Sequence, residues 1–561
     1  MNNKSLFILI GAMIVCLMLH LVRFSSSPPG FNADEAAYGY NAYSVLKTGK
    51  DEFGTPLPLL RLRSYGDNKL PGYMYATIPS VALLGLNEFS VRLPTIISAL
   101  LLVLVIYLLA REATQNETTA CIAALLAAIA PSLNMLSRHA HESVLMTLFI
   151  SFAAWCMVRI INQKNNLWWY SMGAVIAASF ALYTYHSARI FYVVMMPILG
   201  YMLWRSHKKT VFVTSLLVAC LFIIPFTIAE LSTPPSRLAN LFIGTNTGIA
   251  AMQQELAIMS GKSPFSTTMF VVGNEIMNRY VSYFSPQYLA YHGDTNVRFG
   301  YQSMSPLSLI ELVFALVGIY WALRNYQKRG VWILLGILLI APIPGALTWQ
   351  EYSVIRTYTL FVPLIVFTAI GIALTVDAMR NKKIMWRYGL LLILLGHVAF
   401  TARTWEYFLI HYPSRALVIR TWEAGYSELA SFVKQNYHTY DHFYITTDVG
   451  QSYMFLLFYL KYPPQKYQAA AQTSEPDEYG YSQVPGFDKF SFSNAAELPQ
   501  ELTPGKPVIQ VLTESQAKTL SDPEGLQRTE LQRIIKGTET IFVIYEVSAP
   551  PKSIGYRTTI K

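Results

Sequence analysis

Between residues 24 and 90 the chain gathers ionisable side chains that the stretches on either side lack. Asp34 and Glu35 stand together in Phe31-Asn32-Ala33-Asp34-Glu35-Ala36-Ala37-Tyr38, and Arg61, Arg63, Asp67 and Lys69 follow. A carboxylate can take the proton of an attacking hydroxyl. An ammonium or guanidinium can stabilise charge that builds on a leaving group, and a phosphate above all. Long apolar runs flank the segment, so this acid–cation set would work at a membrane edge.

Each candidate has a structural reading beside the chemical one. Asp34, Tyr38 and Asn41 recur at i, i+4 and i+7, one face of a helix. Asp34 lies near the N-terminus of that helix, where it is a candidate base and equally a candidate N-cap, with Glu35 solvated or catalytic beside it. Gly66-Asp67-Asn68-Lys69-Leu70-Pro71 leads into an apolar segment too short to span a bilayer. Lys69 then sits at headgroup height, as a phosphate partner or a snorkelling lysine. In Ser137-Arg138-His139-Ala140-His141-Glu142, Arg138 and Glu142 are four apart and can pair with each other. His141 and Glu142 offer two ligands to a divalent metal; two adjacent ligands do not assign one. His186 and Arg189, Asp294 and Arg298, and Arg356 belong to three further turns. Tyr38, Tyr40, Tyr73 and Tyr75 suit walls that face a sugar, or an interfacial aromatic belt.

These residues need elements to bring them together. The chain has 561 residues, 53% hydrophobic and 14% charged, where a soluble chain has about 25% charged. Its apolar runs are about 20 residues long, the length of a membrane crossing. Eleven spans are expected: 5–22, 92–110, 118–134, 143–161, 168–185, 188–204, 211–229, 306–323, 331–348, 355–376 and 388–404. With a cytoplasmic N-terminus, one set of turns holds Arg111, Arg159, Lys164, Arg205, Lys208, Lys209, Arg324, Lys328, Arg329, Arg380, Lys382, Lys383 and Arg387. The opposite short turns hold Arg138, Arg189 and Arg356. The positive-inside rule then puts the loops at 24–90 and 230–305 and the tail from 405 outside the cytoplasm. All the candidate residues above share that face. In the first loop, Asp34–Leu46 reads as a short amphipathic helix and Pro71–Leu84 as an interfacial one.

The expected fold is an α-helical polytopic membrane domain over 1–404 with a small soluble α/β domain over 405–561. Trp422–Gln435 reads as helix; Phe443–Thr447, Val508–Leu512 and Ile541–Val547 read as strands. Net charge is +10, but the cations lie at span ends, which suits anionic lipid rather than nucleic acid. All four cysteines sit in apolar runs, so no disulfide framework is expected. No P-loop or GxGxxG is present. A transferase of this kind needs an activated donor other than a nucleotide bound at such a motif.

Taken in order, these motifs resemble a known family. The set is Asn32-Ala33-Asp34-Glu35 after the first span, Asp67-Asn68-Lys69-Leu70-Pro71 before the interfacial helix, and Val91-Arg92-Leu93-Pro94 opening the next span. Ser137-Arg138 and Tyr283-Phe284-Ser285-Pro286 with His292-Gly293-Asp294 complete it. It resembles the GT-C fold glycosyltransferases, in the bacterial and archaeal branch related to protein O-mannosyltransferases and to the aminoarabinose transferase that modifies lipid A. The resemblance covers most of 1–404. It implies inverting transfer of a sugar from a polyprenyl-phosphate donor to a lipid, glycan or protein hydroxyl on the extracytoplasmic face of the cytoplasmic membrane. Asp34 would be the base, with Glu35 beside it, and Lys69 would meet the donor phosphate. Arg138, Arg189 and Arg356 are further phosphate candidates. Tyr38, Asp67, His139, His141, Glu142, His186, Asp294 and Arg298 are candidates for the substrate pocket. No metal is carried over. The alternative is a transporter or flippase of lipid-linked glycans, which would need charged or broken segments at mid-membrane; Pro225, Pro342 and Pro344 are the only hints.

Overall fold

The computed structural model describes residues 2–549, apart from 66, 163–164, 233–241, 261–263, 301–303, 329, 381, 476–481, 495, 499–501, 504–505 and 520–525. Helix α1 (Asn3–Leu21) is capped by Asn2, whose side chain accepts from Ser5 N at 2.8 Å. The next helix, α2 (Ala33–Thr48), opens with a capping box. The Asn32 side chain accepts from Glu35 N at 3.1 Å, and the Glu35 carboxylate accepts from Asn32 N at 3.2 Å. The cap is therefore Asn32, and Asp34 is left with its carboxylate free of that duty. Gly49 ends α2 at φ 70°, in the left-handed region that favours glycine.

In place of the expected amphipathic pattern, α2 is buried around most of its surface. The reason lies at Gly39, where a Cβ would stand 2.6 Å from the ring of Phe458 and from the Val91 side chain. Span and tail thus close on the helix from two sides. Strands β1 (Leu62–Ser64) and β2 (Asp67–Lys69) form an antiparallel hairpin that pairs Leu62 with Lys69. Helix α3 (Gly72–Leu84) follows at the expected place, and Gly72 N donates to Tyr183 O at 2.9 Å. That bond ties the end of the first loop to the turn holding His186 and Arg189.

Helices α4 (Glu88–Thr114) and α5 (Glu117–Ile129) begin the main bundle. Helix is present at every one of the eleven segments expected to span. By length and composition, six described helices can cross a membrane, or seven if α5 and Pro131–Arg138 are one broken span. Others, such as Leu167–Leu182 and Val331–Ala346, are shorter. The 56° bend after α5 has a local cause. Pro131 lacks a backbone N–H, which leaves a carbonyl of the preceding turn without its helical donor. The Asn134 amide meets the need by donating to Ala127 O at 2.8 Å and Ala130 O at 2.9 Å.

The tail carries a six-stranded sheet of β3 (Phe443–Thr446), β4 (Gly486–Phe487), β5 (Phe490–Ser493), β6 (Val508–Leu512), β7 (Gln527–Lys536) and β8 (Glu539–Ser548). The order is β4-β5-β3-β6-β8-β7, with β3 parallel to both neighbours and the other pairs antiparallel. Three of these strands match the expected ones. β4 and β5 are too short to show a period, and β7 is an exposed edge of largely polar residues. The expected helix from Trp422 starts instead at Tyr426. Glu423 and Gly425 hold φ of 52° and 101°, which turns the chain before the helix begins.

Candidate active site

The capping box fixes the first turn of α2 and leaves Asp34 projecting from it, at the end of the helix where an anion is favoured. The hairpin supplies its partners. Lys69, the last residue of β2, donates to Asp34 Oδ1, and so does the Tyr65 hydroxyl from the turn between the strands. The Lys69 side chain is 8% exposed while that of Asp34 is 46% exposed. The ammonium therefore backs the site and the carboxylate faces its opening. Tyrosine rings enclose the cation, with centroids 4.3 Å (Tyr65) and 5.2 Å (Tyr38) from Nζ. Desolvation works against the Asp34 carboxylate, but the Lys69 ammonium and the Tyr65 hydroxyl hold it well below the usual carboxylate range.

A second carboxylate lies one residue contact away. The Tyr38 hydroxyl donates to Glu142 Oε1 at the start of the helix Glu142–Asn162. Glu142 Oε2 lies 3.5 Å from His141 Nδ1, which accepts from Ser143 N at 3.1 Å. Burial lowers the His141 pKa from its ordinary value, against the pull of Glu142, Asp34 and Glu35. His139 is buried, stacked on Phe299 at 5.6 Å and edge-on to Trp422 at 4.9 Å, and burial holds it well down as a neutral ring. Asp34, Lys69, Tyr65, Tyr38 and Glu142 thus form one connected polar cluster. It combines proton-accepting oxygens with an ammonium placed for an anion.

Other sequence candidates are engaged elsewhere. Glu35 is fully buried, where its carboxylate binds Arg92 through two contacts of 2.8 and 2.9 Å and accepts from Ala140 N at 2.8 Å. Glu35 thereby joins α2 to α4 and to the turn before Glu142. Arg138 is held by backbone carbonyls. Buried at 1% exposure, it donates to Val22 O at 2.8 Å, to Ser27 O at 2.8 and 3.1 Å, and to Leu19 O. It closes the C-terminal end of α1, whose last carbonyls lack helical donors. Arg189 sits in a separate group. It meets Glu230 at 2.9 Å and His186 Nδ1 at 2.7 Å, and Arg61 binds the same Glu230 oxygen. Asp294 accepts from Val354 N and Asn296 N, both at 2.8 Å, and burial pushes it up to about 6. It joins its loop to the turn of Arg356, whose guanidinium donates to Thr348 Oγ1. Arg298 donates to Thr421 O at 2.8 Å and meets Glu423 at 3.3 Å, near enough to act on the Asp34 carboxylate. The side chain of Asp67 lies outside the described residues.

Sequence reasoning missed Tyr65, Glu230 and Glu423, and gave Arg92 a place in a motif but no role. Tyr65 could have been found from the turn signal Tyr65-Gly66-Asp67-Asn68, which brings it back beside Lys69. The others are set by contacts with residues far along the chain. Among the described residues, no three His, Cys, Asp or Glu side chains group as a metal site would require.

Residues 68–229, from β2 to near the end of the helix Lys209–Ser232, match the family model described as dolichyl-phosphate-mannose-protein mannosyltransferase. Comparison with curated proteins gave no match. Among solved structures, the chain is similar to ArnT from Cupriavidus metallidurans bound to undecaprenyl phosphate. The TM-score is 0.51 at 12% identity, over 97% of this chain and 98% of that one. ArnT in the apo state gives 0.54 at 12% identity and the same coverage. The archaeal oligosaccharyltransferase AglB from Archaeoglobus fulgidus, in complex with an inhibitory peptide and a dolichol-phosphate, gives 0.50 at 13% identity, over 91% of this chain and 69% of that one. The fold of this chain is GT-C: a helical membrane domain followed by a tail with a small sheet.

Proposed function

We propose that this chain is a glycosyltransferase that moves a sugar from a polyprenyl-phosphate donor to an acceptor hydroxyl, with inversion, on the extracytoplasmic face of the cytoplasmic membrane. The observation that carries the reading is the Asp34–Lys69–Tyr65 cluster, a partly exposed carboxylate held by a buried ammonium at the end of a helical bundle. The match of 68–229 to a mannosyltransferase family supports it, as do the lipid phosphates bound by ArnT and AglB. The cations at Arg205, Lys208, Lys209, Arg380 and Lys382 mark the opposite, cytoplasmic end. The membrane domain over 1–404 carries the reaction, and the tail from 405 shares its face.

In this mechanism the donor phosphate takes hold of Lys69. The ammonium then divides between phosphate and Asp34, so donor binding itself loosens the base and restores its basicity. The acceptor oxygen attacks the anomeric carbon as the bond from that carbon to the phosphate oxygen breaks. Asp34 receives the acceptor proton, and the charge released on the phosphate stays on Lys69. Tyr38, whose ring lies against Lys69, and Glu142, joined to it, form the opposite wall with His141.

The test is to give the purified protein labelled polyprenyl-phosphate sugars with envelope acceptors and to determine the anomeric configuration of the product. Transfer with inversion, lost in Asp34→Asn, is the expected result. A product of retained configuration, or no transfer from any lipid-phosphate sugar, overturns the reading. Label that crosses sealed vesicles with its sugar–phosphate bond intact would indicate a flippase instead.

A further inference from the structure

The short segment Thr421–Ala424 of the tail reaches the first turn of α2. Glu423 Oε2 accepts from Ala33 N at 2.8 Å, the residue before Asp34, and pairs with Arg298 at 3.3 Å. Arg298 is fixed a second time by Thr421 O at 2.8 Å. Two glycines make room for the segment. A Cβ on Gly30 would fall 2.1 Å from Trp422 O, and one on Gly450 would fall 2.1 Å from Glu423 Oε1. Glu423 is itself a non-glycine residue at φ 52°. Left-handed backbone at such a residue is unfavourable and persists where the surroundings over-determine it. The side chain is only 11% exposed, so a carboxylate has been taken out of water, at a strained position, to meet the helix that carries Asp34.

We propose that Glu423 is a positioning residue for the reaction at Asp34, and that the site is incomplete without the tail. Resting on the transferase reading above, the inference adds that Glu423 sets two things at once. Through Ala33 it fixes the place of the first turn of α2. Through the ion pair it fixes the Arg298 guanidinium, which Thr421 O also holds. A misplacement on the order of 1 Å can cost about a hundredfold in rate, so the loss should appear in turnover rather than in donor binding.

Three full-length variants test it: Glu423→Gln, which keeps an acceptor oxygen for Ala33 but drops the charge; Glu423→Ala, which drops both contacts; and Glu423→Gly, which drops both and relieves the backbone. Amide hydrogen exchange is followed in residues 31–38, alongside kcat and the donor KM. The expected result is faster exchange at 31–38 in the Ala and Gly variants and wild-type exchange in Gln. For turnover, kcat should fall about tenfold or more in Ala and Gly and less in Gln, with donor KM within about twofold throughout. Relief of strain in Gly should not rescue turnover. Unchanged exchange at 31–38 in Ala, or wild-type kcat in Ala alongside an inactive Asp34→Asn, overturns the proposal. If the wild type itself transfers no sugar, the transferase reading fails, whereas the exchange data still decide whether Glu423 holds α2.

Discussion

Glu35 and Arg92, 57 residues apart in the chain, meet in a two-pronged ion pair with relative exposures of 0% and 1%. The same carboxylate closes the capping box of α2 and takes the Ala140 N–H. One residue thus ties the loop after α1 to α4 and to the turn before Glu142. Its neighbour Asp34 points the other way and opens toward solvent. Two adjacent acids, alike in sequence, have opposite roles because the helix turns them about 100° apart. Removing one member of a buried pair typically costs about 3–5 kcal/mol, since the other charge is left unpaired. Glu35→Ala should therefore reduce the yield of folded protein and lower its thermal midpoint in detergent. Glu35→Ala combined with Arg92→Met should recover part of the loss. A Glu35→Ala protein of wild-type stability that lacks only activity would return Glu35 to the catalytic set.

Asp34→Asn should have the reverse signature. The amide keeps an oxygen for Tyr65 and Lys69, and the position is partly exposed, so the thermal midpoint should hardly move. Turnover should drop on the order of 10²–10⁴-fold, the usual contribution of a positioned proton acceptor. Initial rates with a saturating lipid-phosphate sugar measure this, and activity within tenfold of wild type would remove Asp34 as the base.

The bundle was legible because apolar runs and cations at their ends follow from lipid alone, which is a local requirement. Asp34 and Lys69 were legible too, since both stand in one loop between spans. The surroundings of Arg138 were not legible, because a guanidinium that caps a helix end and one that awaits a phosphate look the same in sequence. Only the three carbonyls of Leu19, Val22 and Ser27 distinguish them. Glu423 was invisible for a different reason: its partners lie 390 residues away at Ala33 and 125 away at Arg298. Such pairings follow from how the tail docks, and no local pattern encodes them.

Lys69→Met separates donor binding from proton transfer. With the ammonium gone, the donor KM should rise while the acceptor KM holds. The pH profile should change as well, with a sign set by the Asp34 environment. In the wild type Lys69 holds the Asp34 carboxylate below its usual range, so the base stays ionised throughout the accessible pH range. Without that cation, desolvation is left as the main influence and raises the pKa. An acid limb should then enter the kcat/KM profile of Lys69→Met, with activity falling as pH drops toward 5. Equal effects on donor and acceptor KM, with no acid limb, would count against both roles.

Glu52 gives a stability prediction of opposite sign. It is fully buried behind the site, with its N–H on Asn41 Oδ1 at 2.9 Å and with Tyr40, Tyr453 and Tyr467 within electrostatic reach. Burial, the largest influence, pushes its carboxyl up to about 8; Asp51 adds to the shift, and Ser64 and Lys69 pull against it. Folded protein therefore holds this proton over a range where unfolded chain, with a glutamate pKa of about 4.3, has lost it. The folded state binds more protons, so stability falls as pH rises between those two values, by up to about 1.4 kcal/mol per unit from this group. Asp294, pushed up to about 6, acts in the same direction but only at lower pH. Burial raises Asp51 and Glu423 too, so across the window from 6 to 8 it is the difference between wild type and a Glu52 variant that belongs to Glu52. Glu52→Gln should flatten the decline of the thermal midpoint across that window and stand above wild type at pH 9. A variant that declines as steeply as wild type would show that Glu52 is already ionised at neutral pH. The junction between first loop and tail would then have to hold a buried charge.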